Sequence, residues 1–200
     1  MGPVAALYDI HGNLAALDAV LAELPHDATI VVGGDVCFRG DEPAETLQRL
    51  RGLGDRVLWV RGNTDREITT ESHLSDEQVA FLHGLQPTVQ IDRVLFCHAT
   101  PRNDMDIFTE RTPAERIAFL FEDVDADVVV CGHTHMQFER TIAGKRVLNS
   151  GSVGMPFEER PGAYWTLDLE PRRTEYAGME LPEMGRAEWL AYCESLEVGS

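Results

Sequence analysis

The apolar positions of the first half of this chain fall into short runs that stop at polar turns. Val4 to Tyr8 predicts a strand, and Asp9-Ile10-His11-Gly12-Asn13 follows at once. Asn13 suits the N-cap of a helix whose apolar face is Leu14, Leu17, Val20, Leu21 and Leu24 and which Pro25 ends. Thr29 to Val32 predicts a second strand, closed by Gly33-Gly34-Asp35, where the glycines let the backbone turn sharply and present the carboxylate. Pro43 opens a helix through about Leu53, and Arg56 to Val60 is a third strand closed by Arg61-Gly62-Asn63-Thr64-Asp65. Strands that alternate with helices in this way argue for βαβ units and a largely parallel sheet.

Ser75 caps a further helix to about Leu85, and Thr88 to Ile91 with Val94 to Cys97 predict a hairpin that delivers His98. Thr112-Pro113-Ala114-Glu115 has the form of a capping box, so a helix is expected towards Glu122. Three consecutive valines, Val128 to Val130, then read as a fully buried strand that stops at Gly132 before His133-Thr134-His135. In extended backbone, side chains two apart point the same way. His133 and His135 are therefore expected to converge on one point past the strand end, where open α/β sheets place their ligands.

After His135 the texture changes. Gln137 to Ile142, Arg146 to Leu148, Ala163 to Leu169 and Arg173 to Tyr176 predict an antiparallel half. Asn149 to Gly154 is expected to be a tight loop with little chemistry of its own. From Met179 a polar linker leads to a short helix around Ala187 to Glu197. The expected division is a domain over residues 1–178 and a tail over 179–200, which packs on the domain or supports a homo-oligomer.

Composition narrows the possibilities. The 200 residues suffice for one sizeable core, and 34 acidic against 17 basic side chains leave a net charge of -17. That surface repels phosphate backbones, which argues against an extended nucleic-acid footprint but permits a small anionic substrate in a locally positive pocket. No basic region precedes an apolar stretch at the start, and no apolar run reaches the length of a membrane span. Cys37, Cys97, Cys131 and Cys193 are scattered without a paired framework and read as small core residues in a reducing compartment. A cytoplasmic location is the expectation.

The polar residues at the strand ends carry the candidate chemistry. Asp9, His11, Asp35, Asn63, His98, His133 and His135 are seven oxygen and nitrogen donors, more than one tetrahedral ion needs. Such a set without cysteine suits two divalent cations of intermediate hardness, with Asp35 as the bridge: manganese first, or iron, zinc, nickel or magnesium. Two such ions activate a bridging water as hydroxide and clamp an in-line displacement at phosphorus. They also leave a positive site in an acidic protein.

The set Asp9-x-His11, Gly34-Asp35, Gly62-Asn63-x-Asp65, His98 and Gly132-His133-Thr134-His135 resembles the calcineurin-like metallophosphoesterases, from about Val4 to Leu169. The small bacterial and archaeal phosphodiesterase branch is the nearest in pattern, since Asn149 to Gly154 resembles its glycine-serine-valine-glycine loop. The resemblance implies an α/β fold of four layers, two mixed sheets face to face with helices outside. It implies one metal on Asp9, His11, Asp35 and His135, and another on Asp35, Asn63, His98 and His133. Asn63 and His98 thereby belong to the catalytic centre as well.

Two departures shape the expected activity. Where the phosphatase branches carry a histidine that protonates the leaving group, this chain has Thr64. Where they carry the aspartate that steers it, this chain has Phe38. A threonine hydroxyl is no general acid near neutral pH. Arg39 keeps the place of a phosphate-binding arginine, with Arg102 a second candidate. The expected function is hydrolysis of a small phosphate ester, as a phosphodiesterase before a phosphomonoesterase. A non-catalytic binding scaffold is the alternative of another class.

Overall fold

The computed structural model describes residues 2–198, so the first residue of the expected domain and the last two of the tail lie outside it. Strands β1 (Val4–Leu7), β2 (Thr29–Val32) and β3 (Val57–Trp59) alternate with helices α1 (Leu14–Glu23) and α2 (Pro43–Arg51). A short helix α3 (Asn63–Glu67) follows β3, and α4 (Asp76–His83) precedes the hairpin β4 (Thr88–Ile91) and β5 (Val94–Cys97). Then come α5 (Ala114–Ile117), β6 (Val128–Cys131), β7 (Gln137–Ile142), β8 (Lys145–Ser150), β9 (Ala163–Leu167), β10 (Glu170–Thr174) and α6 (Arg186–Ser195).

The strands form two five-stranded mixed sheets, in the orders β10-β9-β1-β2-β3 and β4-β5-β6-β8-β7. Ala6, Tyr8, Val31, Val60, Phe96 and Val130 pack between the sheets, and the Tyr8 hydroxyl donates across the interface to the Val130 carbonyl at 2.9 Å. The other face of the first sheet buries Leu7, Ile30 and Val32 with Leu17 and Val20 of α1 and Leu47 and Leu50 of α2. Burying each such side chain stabilises the fold by roughly 1.5–3 kcal/mol. On the far side, Val129 and Cys131 of β6 pack with Ile117 of α5 and Leu190 and Cys193 of α6. This is the expected layering of helices outside two mixed sheets.

The parallel core β1-β2-β3 and the β4-β5 hairpin match the sequence reading. The second half departs from it. β7-β8 and β9-β10 are antiparallel hairpins, but β8 runs parallel to β6 and the two hairpins join different sheets. The β9-β10 turn falls at Asp168 and Leu169, both with positive φ, so β10 begins at Glu170 rather than near Arg173. The capping box also fails. Thr112 Oγ1 accepts the Thr109 N–H at 2.7 Å and bonds the Glu197 carboxylate, so Pro113 precedes α5 without a side-chain cap. α5 is accordingly one turn long and tightens into a 3₁₀ turn over Ala118–Leu120.

Candidate metal centre

β1, β2, β3, β5 and β6 all point their C-terminal ends at one spot, and the segments that follow them bring the seven strand-end residues together. His11 Nε2 lies 3.1 Å from His135 Nε2, and Asp9 Oδ1 lies 3.4 Å from His135 Nε2. On the other side His98 Nε2 is 3.0 Å from Asn63 Oδ1, 3.2 Å from His133 Nδ1 and 3.6 Å from Asp35 Oδ1. Among the described residues, Asp9 with His11 and His135, and Asp9 with Asp35 and His98, are the two buried groups whose donor atoms converge closely enough to share an ion.

His133 and His135 do not converge on one point. His133 turns to His98 and His135 to His11, because the backbone past β6 is not extended. Asp9, His11, Asp35, His133 and His135, five of the seven, hold left-handed backbone with φ between 49° and 67°. Non-glycine residues seldom adopt this region, and strain of order 1–3 kcal/mol each is found where a site over-determines it. Gly34, at φ +97°, supplies the same freedom where a side chain would strike Gly62 and His98.

The chemistry of the donors fits divalent cations. His11 Nδ1 and His135 Nδ1 each lie 2.7 Å from a main-chain carbonyl, of Phe38 and of Met155. A carbonyl can only accept, so both Nδ1 atoms carry protons and both Nε2 atoms of the neutral rings are bare acceptors. Those two face each other and Asp9 Oδ1, which is buried with no hydrogen-bond partner. Acceptors so arranged repel unless a cation sits among them. His98 Nδ1, 2.9 Å from the Gly33 carbonyl, leaves its Nε2 bare in the same way. Burial works against protonating His98 and His135, yet Asp35 and Asp9 push both imidazoles up. Burial and the neighbouring rings hold His11 down and His133 at about 4. Burial also works to raise the Asp9 carboxyl, but His135, His98 and His11 hold it below the usual range. Each pair of imidazoles thus calls for positive charge.

Residues 3–172 match the model of the calcineurin-like phosphoesterase superfamily domain. The chain belongs to that superfamily. It is by that membership a phosphoesterase of the hydrolase class. It is 28% identical over 175 residues to the phosphodiesterase YfcE of Escherichia coli, covering 80% of this chain and 84% of the relative. It is 29% identical over 133 residues to a symmetrical bis(5'-nucleosyl)-tetraphosphatase of Sodalis glossinidius, covering 54% of this chain and 47% of that relative. Among solved structures, a metallophosphoesterase from Sphaerobacter thermophilus superposes with a TM-score of 0.73 at 22% identity, over 88% of this chain and 89% of the other. No helix among the described residues is long and apolar enough to cross a membrane.

In this phosphoesterase several residues without an assigned role hold the ligands in place. Asp65 is fully buried and accepts the main-chain N–H groups of Asp35, Val36 and Gly62 at 2.8–3.0 Å. Burial and the charge of Asp35 push its carboxyl up to about 6. The 149–154 loop does more than expected: Ser152 Oγ donates to the Asp9 carbonyl at 2.7 Å, and Asn149 Nδ2 donates to Gly132 and Thr134. Gly154 sits where a Cβ would lie 1.8 Å from the Ile10 carbonyl, so only glycine lets this loop close on β1. Arg39 is exposed and separate from the cluster, on a cavity of about 320 Å³ that His11 and Tyr176 also line.

α6, beyond the matched residues, reaches the same loops. Trp189 Nε1 donates to the Thr134 carbonyl at 2.7 Å, and its indole stacks on Phe157 at 4.0 Å and 10°. Phe157 N–H donates to the His135 carbonyl at 3.1 Å. Arg186 grips Glu158 at 2.6 Å, and Glu158 accepts the Gln137 N–H. The Asp65 position stood in the sequence motif without a role. Nothing in the pattern around Trp189 pointed to Thr134.

Proposed function

We propose that this chain is a two-metal phosphodiesterase, with Asp9, His11, Asp35 and His135 holding one divalent cation and Asp35, Asn63, His98 and His133 the other. The observation that carries the reading is the pair of facing bare acceptors, His11 Nε2 and His135 Nε2, beside the unpartnered Asp9 Oδ1. Asp35 is the bridging carboxylate in this reading; its charge, like that of Asp9, acts on His11, His98, His133 and His135. When bound, two such ions, manganese first, supply a nucleophile at neutral pH and neutralise charge gathering at phosphorus.

The protein's own part is orientation and charge. The Phe38, Gly33 and Met155 carbonyls fix three imidazoles, so the donor atoms need not reorganise during turnover. Arg39, across the cavity that His11 also lines, would hold a non-bridging phosphate oxygen in this reading. Thr64 Oγ1 is buried with no partner, and Phe38 is 38% exposed, so no acid and no orienting carboxylate stand at these two positions. A placed acid is worth roughly 10²–10⁴ in rate for an alkoxide leaving group, and a diester with an aryl leaving group scarcely needs it. In this reading the domain through residue 178 carries the chemistry, and the tail braces it through α6. The four free buried cysteines suit a cytoplasmic protein.

The test compares hydrolysis of bis(p-nitrophenyl) phosphate with that of alkyl phosphomonoesters under matched manganese, zinc and magnesium. Preference for the diester is expected. Thr64→His with Phe38→Asp should raise monoesterase activity by more than the two single changes together, once metal content confirms the fold. Wild-type protein that favours alkyl monoesters would overturn the diester assignment.

A further inference from the structure

Beside the His98–Asn63 side of the centre lies a cavity of about 200 Å³ lined by Arg61, Arg66, Arg102, Thr88, Thr100 and Asp104 among others. Its walls grow directly out of the centre. Arg61 stands two residues before Asn63, Thr100 two after His98, and Thr88 pairs with Cys97 at the same end of β5. Two residues of backbone span at most roughly 6–7 Å, so these wall residues stand close to the centre even where the chain bends.

The three guanidiniums are unequally occupied. Asp104 holds Arg66 through Nε and Nη2 at 3.1 and 3.4 Å, and Asp106 holds Arg102 through Nε and Nη2 at 3.0 and 2.7 Å. These forks are fixed, and among the described residues the Nη1 of neither makes a hydrogen bond. Arg61 has no carboxylate partner among the described residues, and its Nε is buried with nothing to donate to. The residue as a whole is half-buried, so it is this one N–H, not the whole guanidinium, that is shut from water, and a buried donor left unpaired is costly. A cation without a carboxylate is also out of place in a protein of net charge -17, where carboxylates outnumber cations two to one.

We propose that this cavity is an anion subsite, and that it takes a second phosphate of a substrate whose scissile phosphate is bound at the metal centre. The inference rests on the phosphodiesterase reading above and narrows its substrate class to esters bearing linked phosphates. Guanidinium forks match phosphate oxygens bidentately, and Thr88 supplies a further hydroxyl at the wall. A short run of linked phosphates has the reach to join the two positions.

The probe is diadenosine tetraphosphate, set against bis(p-nitrophenyl) phosphate, which has a single phosphate. Arg61→Gln should weaken equilibrium binding of the tetraphosphate to the metal-loaded protein by about tenfold or more. It should raise its inhibition constant against the aryl diester equally, while KM for the aryl diester and the bound metal stay within about twofold. Arg61→Lys, which keeps the charge and loses the fork, should fall between. Equal weakening towards both compounds, or loss of metal, would make Arg61 a structural residue and overturn the subsite, as would unchanged tetraphosphate binding. Absence of any ester hydrolysis by the wild-type protein would count against the phosphodiesterase reading alone, because the binding measurement still decides the subsite.

Discussion

His11 and His135 face each other with both rings turned back onto main-chain carbonyls, whereas in the second pair only His98 has that restraint. His133 presents Nδ1 to the centre, and among the described residues no hydrogen bond fixes its Nε2. The first pair is also joined by the orphaned Asp9 Oδ1. The second is completed by Asn63, a neutral amide. Fixing the second ring nitrogen sets tautomer and orientation and raises ligand basicity. With two cations bound as proposed, the first pair should be the tighter site and the second the exchangeable one. Such asymmetry suits a reaction in which one ion stays in place and the other adjusts as substrate arrives.

The largest effect should come from erasing the comparison. Asp35→Ala removes the carboxylate proposed as the bridge, one of two whose charge reaches all four imidazoles, so both proposed sites should weaken together. Elemental analysis should find less metal than in any single histidine variant, and kcat/KM should fall by about 10³ or more. Two ions per chain with full activity would show that Asp35 bridges nothing.

Stripping the metals should separate the pairs by stability. A ligand at a hundred times its Kd stabilises the fold by about 2.7 kcal/mol per site, and each kcal/mol moves Tm by roughly 2–4 °C in a chain of this size. Removal of both ions should thus lower Tm by on the order of 10 °C, in two stages as chelator rises, the first stage belonging to the His98–His133 side. Loss in a single step would count against the asymmetry.

The convergence of the candidate ligands was legible in the sequence because each follows a short apolar run and a turn, the address at which open α/β sheets place their ligands. Their grouping was harder to read. Spacing of two residues predicts convergence only in extended backbone, and the left-handed conformations of His133 and His135 send the two rings to different partners. Thr112 misled for a related reason: its hydroxyl had two ways to be satisfied, and Glu197, 85 residues away, won over the local cap. The β8-β6 pairing and the supports at Ser152 and Trp189 are long-range contacts that no local pattern encodes.

A smaller effect should distinguish the pairs one ligand at a time. His11→Ala removes a ring whose orientation is already fixed, and His133→Ala one that must still be ordered on binding. The tight step of a manganese titration should weaken by about tenfold more in the first variant than in the second, a difference near 1.4 kcal/mol. Equal losses would mean that the carbonyl restraint on His11 contributes nothing to affinity.

The smallest effect tests whether the tail helps to set that restraint. Trp189 lies against the His135 ring, 6.3 Å between centroids and tilted by 42°, and its N–H holds the carbonyl of Thr134, between the two histidines of the strained loop. Trp189→Phe keeps a ring against Phe157 and His135 and deletes the indole donor. One hydrogen bond of this kind contributes about 0.5–1.5 kcal/mol, so affinity at the tighter site should fall roughly three- to tenfold while far-ultraviolet dichroism is unchanged. Tyr192→Ala, at a position 50% exposed on the same helix, removes a neighbouring ring and should leave metal affinity alone. Linkage is reciprocal: if α6 strengthens metal binding, bound metal must slow proteolysis of α6 by an equivalent opening free energy. A Trp189→Phe protein with wild-type affinity, and a tail cleaved at the same rate with and without metal, would show that α6 covers the core at Leu190 and Cys193 without acting on the centre.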